Sequence, residues 1–220
     1  MVLEIKEIRI PGYKKVIEAI DEEIHLHAFI AIHNTDLGPA LGGARVYPYG
    51  TREDALKDVL RLSEAMTYKS ALAKSGTGGG KSVIIGDPHK VETKKFLHTF
   101  AEVINSLKGE YIVSEDVGTN ASDMLVIHEK TPFVSALPTM TSSGDPSRFT
   151  AWGVYQSMQA VATKLWGSPS LKDKTILIQG LGNVGTKLGN HLFWAGANLI
   201  IQEINQNKAK IEAGFYGAKV

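Results

Sequence analysis

Strict alternation opens the pattern. In IHLHAFIAI, residues Ile24, Leu26, Ala28, Ile30 and Ile32 recur with period two, which predicts a strand carrying them on one face. His25 and His27 fall on the opposite face. With no third histidine or carboxylate close by in sequence, that pair reads as a polar strand surface rather than a metal site. The period changes after Thr51. TREDALKDVLRLSEAM offers a threonine N-cap, acids in the first turn, and Ala55, Val59, Leu62 and Met66 along one helical stripe. SVIIGDP predicts a short buried strand ending in a turn. Phe96, Phe100, Val103, Ile104 and Leu107 form a second helical stripe, closed by Gly109. YIVSEDVG and FVSAL read as further strands, so helices and strands alternate in the manner of an α/β protein.

The turn-rich TMTSSGDPSR, Thr139–Arg148, interrupts this rhythm and marks the expected boundary between a domain over 1–147 and another over 148–220. Beyond it, FTAWGVYQSMQAVATKLW is apolar enough for a well-packed helix. The strand TILIQ, the glycines of GLGNVG, a helix over Asn183–Trp194 and the strand NLIIQE then follow in order. Gly180, Gly182 and Gly185 fill G-x-G-x-x-G, and in this setting each has a task. One permits a tight turn, one lets backbone approach a pyrophosphate, and one allows helix and strand to pack closely. The helix start supplies free N–H groups for phosphate oxygens. Glu203, about 18 residues past the last glycine, is placed to accept hydrogen bonds from ribose hydroxyls and to repel a 2′-phosphate, favouring NAD over NADP.

Composition narrows the classes. The chain is 43% apolar and 21% charged, as ordinary globular proteins are, and its 24 basic against 23 acidic residues advertise no nucleic-acid or membrane-surface partner. The absence of cysteine excludes disulfides, thiolate metal sites and a cysteine nucleophile, and suits a cytoplasmic protein. The N-terminal MVLEIKEIRIPG is too charged for a signal peptide, and no apolar run is long enough to span a bilayer.

KSGTGGGKS, Lys74–Ser82, nearly spells a phosphate-binding loop, but the first required glycine falls on Ser75, and a helix precedes the segment where a strand is needed. A flexible linker is one reading; close approach of glycine backbone to another group is the second. Lys69, Lys81, Glu115 and Asp116 add two cations and two carboxylates near strand ends. One lysine would pair with a substrate carboxylate. The other, crowded and desolvated, would act as a base near neutral pH on a substrate whose amine is oxidised.

LGPALGGARVYP, MTYKSALA, GGGKSVIIGDP, SEDVGTNASDM, SSGDPSRFTAWGVY and QGLGNVG, in that order over nearly the whole chain, resemble the amino-acid dehydrogenases, most closely those acting on leucine. The resemblance implies a mixed-sheet substrate domain followed by the first part of a Rossmann-type doubly wound NAD-binding domain. It also implies NAD-dependent deamination of an L-amino acid to a 2-oxo acid and ammonium. Carried over residue by residue, it assigns Lys81 as general base and Asp116 as proton shuttle. It places Leu41, Gly42, Gly43, Met66, Lys69 and Ser114 around the substrate, with Lys69 on its carboxylate. Thr150, Gly180, Gly182, Asn183, Val184, Gly185 and Glu203 would hold the cofactor, and no residue is assigned to a metal. Homo-oligomers, commonly octamers, are the family's habit. The Ile-rich N-terminal segment reads equally as a strand pairing between subunits or as an ordinary edge strand.

Glutamate-specific relatives carry lysine where Leu41 stands, to pair with the substrate's side-chain carboxylate, so Leu41 favours an apolar amino acid. Leucine is the expected substrate, with valine, phenylalanine or tryptophan as the alternative, and a non-catalytic oligomerisation or binding module as a third reading. Ser114 replaces a usual alanine, Asp145 a usual asparagine beside Pro146, and Glu203 a usual aspartate. The family pattern continues beyond residue 220, so these residues are expected to be either a fragment or a natural truncation, with little dehydrogenase activity alone.

Overall fold

The computed structural model describes residues 3–91, 93–140 and 142–220, leaving Thr141 of the turn-rich patch outside the described residues. The chain divides into two compact units, Met1–Gly144 and Asp145–Val220.

The first unit runs β1 (Glu4–Glu7), β2 (Lys15–Asp21), β3 (Leu26–Asn34), β4 (Ala40–Tyr47), α1 (Arg52–Ala73), β5 (Gly78–Ile85), α2 (Pro88–Val91), α3 (Lys94–Ser106), β6 (Tyr111–Glu115) and α4 (Ala121–His128). The strands form one sheet in the order β1-β2-β3-β5-β4-β6. Pairing is antiparallel from β1 to β5 and parallel across β5, β4 and β6, so the sheet is mixed. Its edge strand β1 pairs with β2 within the chain.

Both faces of the sheet are covered. Leu26, Ala28, Ile30 and Ile32 pack with Phe96, Phe100 and Ile104 of α3 and with Met124 and Ile127 of α4, as the alternation predicts. The strand begins at Leu26, however, and Ile24 and His25 lie in the preceding turn, His25 with φ of 56°. The opposite face is also apolar: Phe29 and Ala31 are buried with Val16, Val83 and, from α1, Ala55 and Val59. A helix on each side of a sheet demands two buried faces, which one-sided alternation does not reveal.

His27 on that second face lies 2.8 Å from Glu18 Oε1, and Arg52 donates to both Glu18 oxygens through Nε and Nη2 at 2.7 and 2.6 Å. Among the described residues no group of three or more His, Asp or Glu could hold a metal ion. The Arg52 bonds, with help from His27, outweigh burial and hold the Glu18 carboxyl below its usual range. A depressed carboxylate contributes stability at neutral pH that disappears as pH falls through its folded pKa. Glu18→Gln should therefore cost about 1–2 kcal/mol at pH 7, discounted for the exposed side of Arg52, and much less near pH 3. Urea melts at the two pH values measure the difference.

α1 is capped by Thr51, whose Oγ1 accepts from Asp54 N–H, and it runs on through MTYKSALA to a left-handed C-cap at Lys74. Its buried line is Ala55, Val59, Ser63 and Ser70; Leu62 and Met66 are only half-buried. The small residues face the sheet because the helix rests on glycine backbone: a Cβ on Gly79 would stand 2.1 Å from Thr67 Oγ1 and 2.2 Å from its N. FVSAL is not a strand. Val134 makes only an isolated bridge to Val113, and flanking Pro132 and Pro138, which lack N–H groups, block extension of the pairing.

The second unit comprises α5 (Ser147–Trp166), β7 (Thr175–Gln179), α6 (Asn183–Trp194), β8 (Asn198–Gln202) and α7 (Gln206–Tyr216). β7 and β8 pair in parallel around the α6 crossover. α5 is not the well-packed helix its composition predicts: only Ser147, Ala151 and Ala162 are buried, while Val161, Leu165 and Trp166 are exposed. Within this unit its partner is α6, and one neighbouring helix covers only one side. No helix among the described residues is long and apolar enough to cross a membrane.

Candidate active site

Lys81 lies inside β5, at the centre of the first unit's sheet, and is only 5% exposed. Its Nζ donates to Asp116 Oδ2 at 2.6 Å. Asp116 follows the end of β6, where its N–H donates to Thr119 Oγ1 at 3.0 Å and Thr119 Oγ1 donates to Ala44 O at 2.8 Å. These bonds tie the turn carrying Asp116 to β4. The same Oδ2 accepts from Arg45 Nε at 3.0 Å.

Burial pushes the Lys81 ammonium below its usual value; Asp116 opposes this without cancelling it, and Arg45 adds repulsion. Burial also opposes ionisation of Asp116, but Lys81 and then Arg45 outweigh it, and the carboxyl sits below its usual range. A carboxylate that stays ionised beside an amine that gives up its proton readily can move protons at a buried centre.

The glycines around this pair serve packing within the protein. GGGK is strand, not loop; the connection after α1 occupies only residues 74–77. A Cβ on Gly78 would meet Asn34 O at 2.1 Å, and one on Gly80 the Tyr111 ring at 2.8 Å. A Cβ on Gly42 would stand 1.9 Å from Gly80 O, and one on Gly43 would stand 2.7 Å from Asp116 Cβ and 3.1 Å from Lys81 Nζ. Strand, helix and turn thus approach closely around Lys81 and Asp116 because five β-carbons, at Gly42, Gly43, Gly78, Gly79 and Gly80, are missing. The close approach expected from the sequence is real, but its partners are Thr67, Tyr111 and the neighbouring strands. Tyr111, fully buried, donates from its hydroxyl to Gly42 O at 2.9 Å and lies 3.0 Å from Ser82 Oγ, fixing the strand beside Lys81 from the other face.

The remaining predicted substrate residues lie in the same unit. Leu41, half-buried in β4, pairs with Gly79 on one side and Ile112 on the other. Ser114, in register with Gly43 across β4 and β6, is half-buried, as is Met66 on α1. Lys69 is exposed on α1 and stands outside the Lys81–Asp116–Arg45 network.

In the second unit the glycine loop has the geometry of a dinucleotide cradle. Gly180 takes φ of +89°, where a side chain would be strained. Gly182 caps α6 with no side-chain hydrogen bond and with open space where a Cβ would be. A Cβ on Gly185 would stand 2.0 Å from Gly180 O, so helix and loop touch only through glycine. Turn, open approach and close packing therefore fit a bound pyrophosphate at the start of α6, where Asn183 and Val184 lie. Glu203 follows β8; one carboxylate oxygen accepts from Leu181 N–H at 2.7 Å and the other from Asn205 N–H at 3.1 Å. Those backbone bonds keep it ionised. Thr150 is exposed, and its Oγ1 donates to Pro146 O at 3.2 Å within α5's own first turn. Asp145 accepts from Ser147 N–H and Oγ and pairs with Lys187 at 3.0 Å; the Ser147 bonds, above all, lower its carboxyl to about 2.

Residues 14–133, which carry Lys81, Asp116 and their surroundings, match the family described as Glu/Leu/Phe/Val dehydrogenase, dimerisation domain. The chain belongs to that family. It is 46% identical over 208 residues to leucine dehydrogenase of Bacillus subtilis (strain 168), covering 94% of this chain and 57% of that relative. Valine dehydrogenase of Streptomyces virginiae is 43% identical over 196 residues, covering 89% of this chain and 55% of the relative. Among solved structures, L-tryptophan dehydrogenase from Nostoc punctiforme superposes with a TM-score of 0.67 at 36% identity, over 95% of this chain and 59% of that one. The chain thus spans little more than half the length of these Glu/Leu/Phe/Val dehydrogenase relatives.

Three members of the site escaped sequence reasoning: Arg45, Asp58 and Tyr49. Arg45 Nη1 donates to Asp58 Oδ2 at 2.9 Å, and Tyr49 O–H donates to the same oxygen at 2.6 Å. The one available signal was an arginine in an otherwise apolar strand, ALGGARVY. An internal arginine there requires a buried carboxylate partner.

Proposed function

We propose that the complete gene product catalyses NAD-dependent oxidative deamination of L-leucine, or a closely related apolar L-amino acid, to the 2-oxo acid and ammonium. The observation that carries this reading is the buried Lys81–Asp116 pair, a lysine with lowered proton affinity bonded to an ionised carboxylate. Lys69 would hold the substrate carboxylate from α1. Asp116 would exchange a proton with the substrate nitrogen, and Lys81, as the neutral amine, would take a proton from the water that attacks the imine carbon. Gly180, Gly182, Asn183, Val184, Gly185 and Glu203, with Thr150, would hold NAD, which would supply the hydride acceptor. The single negative charge of Glu203 favours NAD over its 2′-phosphorylated form.

Leu41 supports an apolar substrate, since a side-chain carboxylate beside it would be desolvated without a partner, at a cost of several kcal/mol. Leucine is preferred on the similarity of the sequence blocks. Identity to the leucine and valine enzymes differs by little, 46% against 43%, so the choice among apolar substrates would rest on side chains such as Leu41, Met66 and Ser114. The first unit would also carry self-association, with an octamer as the expected assembly.

A substrate panel on the complete gene product tests the assignment. Leucine should exceed glutamate in kcat/KM by about 10³-fold or more, from a penalty of several kcal/mol. Comparable turnover of glutamate, or none of any amino acid, would overturn it.

A further inference from the structure

We propose that Arg45 is a positioning residue for the Lys81–Asp116 pair, held from its far side by Asp58 and Tyr49. The inference rests on the assignment of Lys81 as base. Arg45 sits between two carboxylates that lie far apart in sequence, with Nε on Asp116 at 3.0 Å and Nη1 on Asp58 at 2.9 Å. Because the guanidinium is planar, these two bonds fix the angle between its partners, which a lysine cannot do. Both cations, Lys81 and Arg45, use Oδ2 of Asp116. Oδ1 accepts from neither.

Charge counting gives Arg45 a second consequence. The charged groups facing Lys81 are Asp116 from the turn after β6, Arg45 from β4 and Asp58 from α1. Arg61 pairs with Asp58. With Lys81 neutral, Arg45 and Arg61 balance the two carboxylates, and the cluster carries no net charge. Protonation of Lys81 leaves an excess cation in a place where its own side chain is only 7% exposed. Remove Arg45, and Asp116 needs Lys81 to be charged. The far side of Arg45 borders an open surface pocket of about 410 Å³, lined also by Tyr47, Tyr49, Lys57 and Arg61. Asp58 and Tyr49, which line the same pocket, therefore fix the position of the guanidinium on its solvent side.

The test is titration of Lys81 in the 220-residue chain carrying ¹³Cε-lysine, followed by ¹H–¹³C NMR, with the resonance assigned by its loss in Lys81→Ala. In wild type, Lys81 should titrate below the other lysines. In Arg45→Gln its midpoint should rise by about one pH unit or more, a tenfold change in proton affinity. Arg45→Lys keeps the charge without the fork, and its midpoint should lie between the two. It also carries the test if Arg45→Gln does not fold. A depressed Lys81 that neither variant moves would overturn the role of Arg45 while leaving the base assignment standing. A wild-type Lys81 that titrates with the other lysines would overturn the base assignment, and this inference with it.

Discussion

Replacing Lys81 by alanine in the complete gene product lowers kcat for leucine oxidation by about 10³-fold, inside the range of about 10²–10⁴ for one general base, and leaves the Kd for NAD within about twofold. The separation follows from where the residues lie. Lys81 is in β5 of the first unit, whereas the glycine loop and Glu203 belong to the second. With Lys69 proposed to hold the substrate, KM for leucine should change less than kcat. The variant should still fold. Lys81 belongs to a buried pair, but its loss leaves Asp116 bonded to Arg45 and Thr119. Stopped-flow turnover and NAD titration on one preparation measure both quantities, and equal loss of both would contradict the assignment.

Gly42→Ala should abolish folding of the first unit, because the added Cβ would stand 1.9 Å from Gly80 O, 2.4 Å from Gly80 C and 2.9 Å from Lys81 N. All three atoms belong to the backbone of β5, which is paired to β3 on one side and β4 on the other. Relief requires parting β4 from β5 and surrendering ladder hydrogen bonds, a loss above about 4 kcal/mol. That is a large share of the roughly 5–15 kcal/mol that holds a domain together. Gly43→Ala is the instructive contrast. Its Cβ would press on the Asp116 Cβ, the Lys81 Nζ and one backbone oxygen, and two of those can shift. It should leave most of the fold and displace Asp116, lowering turnover more than stability. Thermal melts of both variants, with activity of the second, test the distinction; a stable, folded Gly42→Ala chain would refute the packing account.

The second unit was the more legible in sequence. TILIQ, the glycines, the helix from Asn183 to Trp194 and NLIIQ lie where their pattern places them, because every glycine there has a local task that neighbouring residues reveal. Close approach by the glycines of the first unit was legible, but its partners were not. A sequence shows that side chains are missing at 78–80 but not what fills the space, and Thr67, Asn34 and Tyr111 come from three different elements. Phe29 and Ala31 posed a related difficulty: alternation identifies one buried face and assigns the other to solvent until a covering helix is known. Lys81 and Asp116 were nameable from their blocks, yet the cluster around them was not. Arg45 lies 71 residues from Asp116 and 13 from Asp58, and only the parallel pairing of β4 with β5 and β6 unites them.

The most direct measurement is the stoichiometry of the reaction. The complete gene product is incubated with ¹⁵N-labelled L-leucine and NAD, and the branched 2-oxo acid, ¹⁵N-ammonium and NADH are quantified together. The account predicts equal amounts of all three, formed at a rate that collapses in Lys81→Ala. NADH without the 2-oxo acid, labelled nitrogen retained on an organic product, or full turnover in Lys81→Ala would contradict it.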